Sequence, residues 1–445
     1  MSLHLQQCQI VPPVITTSSV LSAKNWPFSL KWLPPTAHLV GGIVRDALLG
    51  RYTDHMDLDF VLPERAVETA RAIARHYNAG FVLLDAERQI ARVVFQGATA
   101  DFAQQVGNSL YDDLHRRDFT VNAIAYSPHR EELIDPLHGY TDLHQRLLRM
   151  VSWQNLQEDP LRLLRAYRQA AQLDFHLDAD TEAAIQKLAP LIGTIAAERV
   201  QAELGYLLST DKGTPWLTSA WDNGLLAPWF PKVTATNLSL VAAVDEALST
   251  LATARPAFLP KIQRSLRERA GTDKGNDRGH DSRRTWLFIA RLTNLVSPDP
   301  DYAKTTLTAL KFSRAEVQAV TTVLRALPNL QTAQPLSATD KYHLFQAVGH
   351  AFPALAVVGI TAGVPVETIL MLLDHFLAAD DLIAHPKPLL SGQDLMTALH
   401  LPSGPRVGQL LAAIQLAHVE GIVTSAEEAI AWAREQLTIA EGEES

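Results

Sequence analysis

Asp57 and Asp59 stand one residue apart in the run Asp54-His-Met-Asp-Leu-Asp-Phe-Val-Leu62, downstream of the glycine pair Gly41-Gly42. Alternate residues of a strand face the same side, so both carboxylates can converge on one metal centre. Carboxylate oxygens suit hard divalent cations such as Mg²⁺, which keep some of their water. Just upstream, the Gly-Gly turn leads into a helix start, and free N–H groups at such a start suit a triphosphate. Metal held beside phosphate is the equipment of phosphoryl or nucleotidyl transfer. The plainer alternative is an acidic pair on a solvated strand end.

These side chains need a frame. Residues 37–42 read as a strand, 43–49 as a helix closed by Gly50, and 56–62 as the strand carrying the carboxylates. Pro63 suits a helix start, and Glu64 to His76 has helical spacing, ended by Gly80. Strand-like runs follow at 81–84, 91–95 and 98–102. From about residue 155 strand signals nearly vanish, and Leu/Ala-rich helical patterns continue to the end. Gly, Pro, Asp and Asn cluster near 210–216, 254–260, 270–282 and 296–301, where breaks are expected. Residues 1–33 lack periodicity and read as a loose leader. The expected fold class is α+β, with a small mixed-sheet, palm-like N-terminal domain and an all-α remainder. The division predicted is a head at 34–150, a helical neck at 151–215, a helical body at 216–385 and a tail at 386–445.

Composition sets wider bounds. The chain has 445 residues, of which 47% are hydrophobic and 20% charged, so roughly two to four globular domains fit. One cysteine, Cys8, excludes an internal disulfide and suits a reducing cytoplasm. No signal peptide is evident, and the most apolar stretch, near 355–365, is broken by Gly and Pro, so no membrane partner is expected. A net charge of −9 argues mildly against nucleic acid, but Lys261 to Arg284 carries a local basic excess that suits RNA backbone or a solvated connection.

Five motifs then occur in order between residues 38 and 208. They are Gly41 to Arg51 with Asp57-Leu-Asp59, Arg116-Arg-Asp-Phe-Thr-Val-Asn-Ala-Ile-Ala125, Asp135-Pro-Leu-His-Gly-Tyr-Thr-Asp-Leu143, Glu158-Asp-Pro-Leu-Arg-Leu-Leu-Arg-Ala-Tyr-Arg168 and Glu198-Arg-Val-Gln-Ala-Glu203. Together they resemble the motifs of the class II tRNA nucleotidyltransferase and bacterial poly(A) polymerase family. The resemblance implies that Asp57 and Asp59 hold Mg²⁺, with Asp101 as a third carboxylate on a neighbouring strand. Gly41 and Gly42 would let the backbone approach the phosphates, and Arg45 would meet a phosphate oxygen, unless it only pairs with Asp46. Arg116 or Arg117 would contact nucleotide phosphate or ribose, with Asp118 and Asn122 bracing them; a solvated arginine pair is the alternative.

The fourth motif bears on base choice. Asp159 stands at a helix-cap position before Pro160, and Arg162, Arg165 and Arg168 recur every three residues on one helical face. An acceptor beside a donor imitates a Watson–Crick edge. Cytosine and adenine offer an amine beside a ring acceptor; uracil and guanine reverse the key positions and leave buried groups unpaired, at about 1–3 kcal/mol each. The family's matching Asp and Arg read the incoming base, so the resemblance gives Asp159 and Arg162 that role. CTP and ATP are then the substrates, and the tRNA 3′ end and acceptor arm the partner.

Two further segments qualify this expectation. Full CCA-adding members and poly(A) polymerases usually carry a flexible basic segment between the third carboxylate and the Arg-Arg-Asp motif. Here only residues 102–115 separate Asp101 from Arg116, which resembles members that add two cytidines without the terminal adenosine. Near the C-terminus, Leu390 to Leu395 and Ser403-Gly-Pro-Arg-Val-Gly408 resemble the tail of tRNA-adding members, where a turn opening a helix can present N–H groups to RNA phosphate. His280-Asp281 lacks the companion histidines of a metal-dependent phosphohydrolase and reads as a loop pair. The expected reaction is 3′-terminal addition of C and/or A to tRNA, with a poly(A) polymerase as runner-up and a non-catalytic RNA-binding protein behind both.

Overall fold

Strand alternation in 56–62 sorts the side chains into two faces. Leu58, Phe60 and Leu62 are buried, while Asp57 and Asp59 lie on the opposite face. In the computed structural model, which describes residues 20–51, 55–266, 284–332 and 334–443, this run is β2 of a seven-stranded mixed sheet. In chain order the N-terminal part comprises β1 (His38–Val40), α1 (Gly42–Leu48), β2 (Met56–Leu62), α2 (Ala66–Tyr77), β3 (Gly80–Asp85), β4 (Ile90–Phe95), β5 (Ala98–Gln104), α3 (Leu110–His115), β6 (Ala125–Ser127), β7 (Glu132–Ile134) and α4 (Gly139–His144). The sheet order is β3-β4-β5-β2-β1-β6-β7; β2 and β5 are parallel, and the other neighbours antiparallel. The expected α+β class with a mixed N-terminal sheet is what the chain adopts.

One face of the sheet is closed by α2 and an aromatic cluster. Phe60 and Phe102 stack with ring centres 5.2 Å apart, and Trp26 and Phe28 pack on Phe60 at 5.2 Å and 5.9 Å. Burying a Phe contributes roughly 1.5–3 kcal/mol, so this face anchors the sheet and frees the other for chemistry. Residues 20–33, expected to be loose, are part of this core: Leu21, Trp26, Phe28 and Leu33 are buried. Their spacing follows no helix or strand period because the segment runs in short 3₁₀ turns at Ala23–Asn25 and Leu30–Trp32. Pro63 also differs from expectation. Leu62 still accepts a ladder bond from the Gln105 amide (2.7 Å), so the chain must bend before α2, which begins at Ala66 after Arg65 in the left-handed region. Asn78, also left-handed, closes α2, and Gly80 opens β3.

Beyond the sheet come β8 (Leu147–Leu148), α5 (Trp153–Glu158), α6 (Leu161–Leu173), β9 (His176–Leu177), α7 (Ala179–Leu188), α8 (Ala197–Ser209) and α9 (Gly213–Asp222). Residues 1–228 form one compact unit and 229–445 a second. The break expected at 210–216 is shorter, because Gly213 already opens α9. A Cβ there would lie 2.0 Å from the Leu207 carbonyl oxygen.

Among the described residues, the regular elements of the second unit are helices, beside one isolated bridge between Ser265 and Thr285. Its helices Ala235–Ala254, Trp286–Leu295 and Phe352–Thr361 bury Val241, Val244, Phe288, Ile289, Leu355 and Val358. Helix starts are fixed by capping boxes such as Ser313 with Glu316 and Ser391 with Asp394. Residues 389–437 hold a hydrophobic cluster of their own around Leu395, Ile414 and Ala429. One helical run, Ala338–Thr361, is by length and composition alone long and apolar enough to cross a membrane. Of its most apolar 18-residue stretch 67% is buried inside the fold, and the run is interrupted by a 3₁₀ turn at Gly349–Ala351, as a core helix pair would be. Cys8, His280-Asp281 and all of the basic segment from Arg267 to Arg283 lie outside the described residues.

Candidate active site

The parallel register of β2 and β5 sets Asp59 beside Asp101 and Asp57 beside Thr99. Three carboxylates thus share one open face of the sheet. Their environments differ. Asp57 is mostly exposed, accepts a 2.5 Å hydrogen bond from Thr99 Oγ1 and lies 3.3 Å from His55 Nε2. Asp101 is gripped by both arms of Arg92, at 2.7 Å and 2.8 Å. Burial, with the carboxylates of Asp101 and Asp57 alongside, pushes Asp59 up to about 6 against the pull of Arg117 and Arg92.

The neighbouring backbone is built for close approach. Gly41 has φ +79°, and a Cβ on it would lie 3.4 Å from Arg117 Nη1 and 3.6 Å from Asp59 Oδ2. A side chain would therefore crowd the space between the carboxylates and Arg117. Gly42 follows as the first residue of α1. Arg45 forks onto Asp46 and also donates from Nη1 to Asn122 Oδ1 (2.7 Å), so it joins the first motif to the second.

Arg116 is 45% exposed and Arg117 half-buried, and both are ion-paired. Both bond to Asp113, a fully buried carboxylate in α3: Arg116 Nη2 at 2.7 Å and Arg117 Nη2 at 3.2 Å. Burial raises the Asp113 carboxyl, but Arg117 and Arg116 overcome this and hold it below its ordinary range. Arg117 Nε is buried without a hydrogen-bond partner, leaving a donor beside the carboxylate face. Asp118 accepts from the Phe119 amide, from Asn122 Nδ2 and from Arg165 Nη1 (3.3 Å). Against the push of burial, Arg165 and these hydrogen bonds hold it below the carboxylate range. The third motif acts as a prop. Asp135 accepts the Gly139 and Tyr140 amides at 2.8 Å each, and Gly139 lies so close to Thr120 that a Cβ would sit 2.2 Å from its carbonyl oxygen.

On α6, Arg162, Arg165 and Arg168 do share a face, but it is neutralised rather than solvated. Arg165 and Arg168 both bond to Glu203 of α8, Arg165 Nε at 3.2 Å. Arg162 Nη1 donates to the Arg116 carbonyl (2.9 Å) and the Asn155 carbonyl (3.1 Å). The Asp159 side chain does not cap α6, whose first residue is preceded by Pro160 without a side-chain cap. Its Oδ2 instead takes a charged donor, Arg199 Nη2, at 2.9 Å, and its Oδ1 is buried with no partner. Arg162 Nε lies 4.0 Å from Asp159 Oδ2.

Asp113, Arg92 and Arg199 were not singled out from the sequence. Asp113 had a signal: it precedes Arg116 and Arg117 by three and four residues, the spacing of helical ion pairs. Arg92 and Arg199 reach their partners only through folding.

Residues 37–149 match the family described as "Poly A polymerase head domain", and residues 279–433 match tRNA nucleotidyltransferase domain 2. The CC-adding tRNA nucleotidyltransferase of Synechocystis is 45% identical over 413 residues, covering 92% of this chain and 95% of that protein. The chain belongs to the tRNA nucleotidyltransferase family. Other members include the A-adding tRNA nucleotidyltransferase of Deinococcus radiodurans, 34% identical, covering 90% of this chain and 96% of that one. The CCA-adding enzyme of Bacillus stearothermophilus, solved in complex with CTP, has the same fold, with a TM-score of 0.66 at 26% identity over 92% of this chain and 94% of that one.

A nucleotidyltransferase of this family depends on a divalent metal. The donor set fits one: Asp57 and Asp59 supply hard oxygens, and mutual repulsion with Asp101 leaves the site short of positive charge. Among the described residues no group of three His, Cys, Asp or Glu side chains is placed to hold an ion unaided. Two carboxylates completed by phosphate oxygens and water is the usual arrangement for Mg²⁺. The raised Asp59 carboxyl predicts a pH-dependent response to metal. Its folded value of about 6 lies above the ordinary 3.8, so protons favour the metal-free fold and that stabilisation is lost as pH rises through 6. Added Mg²⁺ should therefore raise the melting temperature clearly at pH 7.5 and hardly at pH 5, by differential scanning fluorimetry; an equal rise at both would remove Asp59 from the site.

Proposed function

We propose that this chain is a cytoplasmic, Mg²⁺-dependent CC-adding tRNA nucleotidyltransferase, building the two cytidines of the CCA end from CTP. The observation that carries the CC reading is the connection from Asp101 to Arg116. It is short and pinned: Gln105 N bonds Leu62 O, Val106 N bonds Asp113 Oδ1 (3.1 Å), Asn108 N bonds Asp112 Oδ2 (2.9 Å), and Ser109 caps α3. No room remains for the flexible segment expected of full CCA synthesis. The 45% identity to a relative named as CC-adding supports the same reading. Synthesis of poly(A) tails is not favoured, since the similar relatives are named as tRNA nucleotidyltransferases.

In this reading the 3′-hydroxyl of the RNA attacks the α-phosphorus of CTP. A new P–O bond forms as the bond to pyrophosphate breaks, and the hydroxyl proton passes to solvent. Asp57 and Asp59 would hold Mg²⁺, which would lower the pKa of the hydroxyl and offset charge on the leaving pyrophosphate. Gly41 and Gly42 admit the triphosphate beside Arg117, and Asn122 with Arg45 keeps the α1 end in place. Asp113 aims Arg116 and Arg117 at phosphate and ribose. Asp159 Oδ1 accepts the cytosine amine and Arg162 donates to its ring nitrogen; Arg165 and Arg168, tied to Glu203, hold α6 in position. The neck at 151–215 reads the base, and the helices at 216–385 and 386–445 grip the RNA, including phosphate at the Pro405 helix start.

The test is incubation with tRNA lacking its last three nucleotides, with CTP, ATP or both, followed by sequencing of the products. Two added cytidines and no adenosine is the expected result. A complete CCA end or a long adenosine tail would overturn the CC assignment.

A further inference from the structure

Asp159 lies between the end of α5 and the start of α6, while Arg199 lies in the first turn of α8, where amide groups disfavour a cation. Arg199 therefore gains nothing from its own helix, and its contact with Asp159 offsets that placement. That contact is specific: Arg199 Nη2 binds Asp159 Oδ2 at 2.9 Å, while Oδ1 is buried and unpartnered. An acceptor shut away from water without a donor is costly unless a ligand supplies one.

We infer that Arg199 is a specificity-determining positioning residue, which clamps Asp159 by Oδ2 so that Oδ1 alone is offered to the exocyclic amine of the incoming base. This rests on the reading of Asp159 and Arg162 as the base template. The terminal torsion of a carboxylate is broad and nearly two-fold, so an unclamped Asp159 turns freely. Arg162 Nε, 4.0 Å from Oδ2, is then the nearest cation, and a turned carboxylate draws it away from the base's ring acceptor. One lost clamp thus disorders both halves of the template. Arg199 itself touches neither the base nor the reacting atoms.

The experiment measures kcat/KM for CTP and UTP at the first addition, together with KM for tRNA, in wild type, Arg199→Ala, Arg199→Lys and Arg162→Ala. Losing a charged hydrogen bond of this kind costs about tenfold to a hundredfold. The CTP:UTP ratio of Arg199→Ala should fall by that factor, with KM for tRNA unmoved and partial recovery in Arg199→Lys. The side chain is 48% exposed, so its removal opens no buried cavity. Should a melt nonetheless show misfolding, Arg199→Gln, which keeps length and a donor, decides by the same ratio. An unchanged ratio in Arg199→Ala alongside a collapsed ratio in Arg162→Ala overturns the clamp and leaves the template standing. Unchanged ratios in both overturn the template and the clamp with it.

Discussion

Asp59→Asn should reduce cytidine incorporation by on the order of 10³-fold or more in single-turnover assays, while tRNA binding by filter retention changes by no more than about twofold. The first effect follows from removing one of two anionic oxygen donors at a site where a divalent ion is worth several kcal/mol to the transition state. The second follows because affinity for RNA comes from many dispersed phosphate contacts, and Asp59 is a single acidic side chain on β2. The Asn side chain has the same shape, so the aromatic core beneath β2 is untouched. Incorporation within tenfold of wild type would contradict the metal assignment.

Glu203→Ala should cost stability rather than chemistry first. Glu203 is buried, and it is the shared partner of Arg165 and Arg168, both themselves largely enclosed. Removing it leaves Arg168 without its carboxylate and Arg165 with Asp118 alone, and breaking a buried pair from one side costs about 3–5 kcal/mol. For a unit of this size, that lowers the melting temperature by on the order of 10 °C. Adding Arg168→Met to Glu203→Ala should recover part of the loss, since the two residues are coupled. A shift below about 2 °C in the single variant would show that these ion pairs do not hold α6 against α8.

Much of this was legible in the residues because local periodicity decided it. The carboxylate strand spans Met56–Leu62 as read, since alternation of Leu58, Phe60 and Leu62 with Asp57 and Asp59 leaves one register that buries the apolar set. The helices after residue 155 followed from 3.6-residue spacing. The segment at 20–33 was illegible because its four buried side chains sit on irregular turns. Asp159 stands at a cap position before Pro160, yet its side chain meets Arg199, forty residues on, a contact that no local pattern shows. Arg92 was invisible for a similar reason. On β4 it is one polar residue among apolar ones, and the β4–β5 register alone sets it opposite Asp101.

The central claim is that Asp57 and Asp59 hold the divalent ion that serves CTP and the tRNA 3′ end. Its most direct test is a crystal structure of the protein soaked with Mg²⁺ and a non-hydrolysable CTP analogue. The account predicts an ion about 2.1 Å from oxygens of both carboxylates and bridged to the triphosphate. Nucleotide and metal bound together, with both carboxylates turned away from the ion, would contradict it.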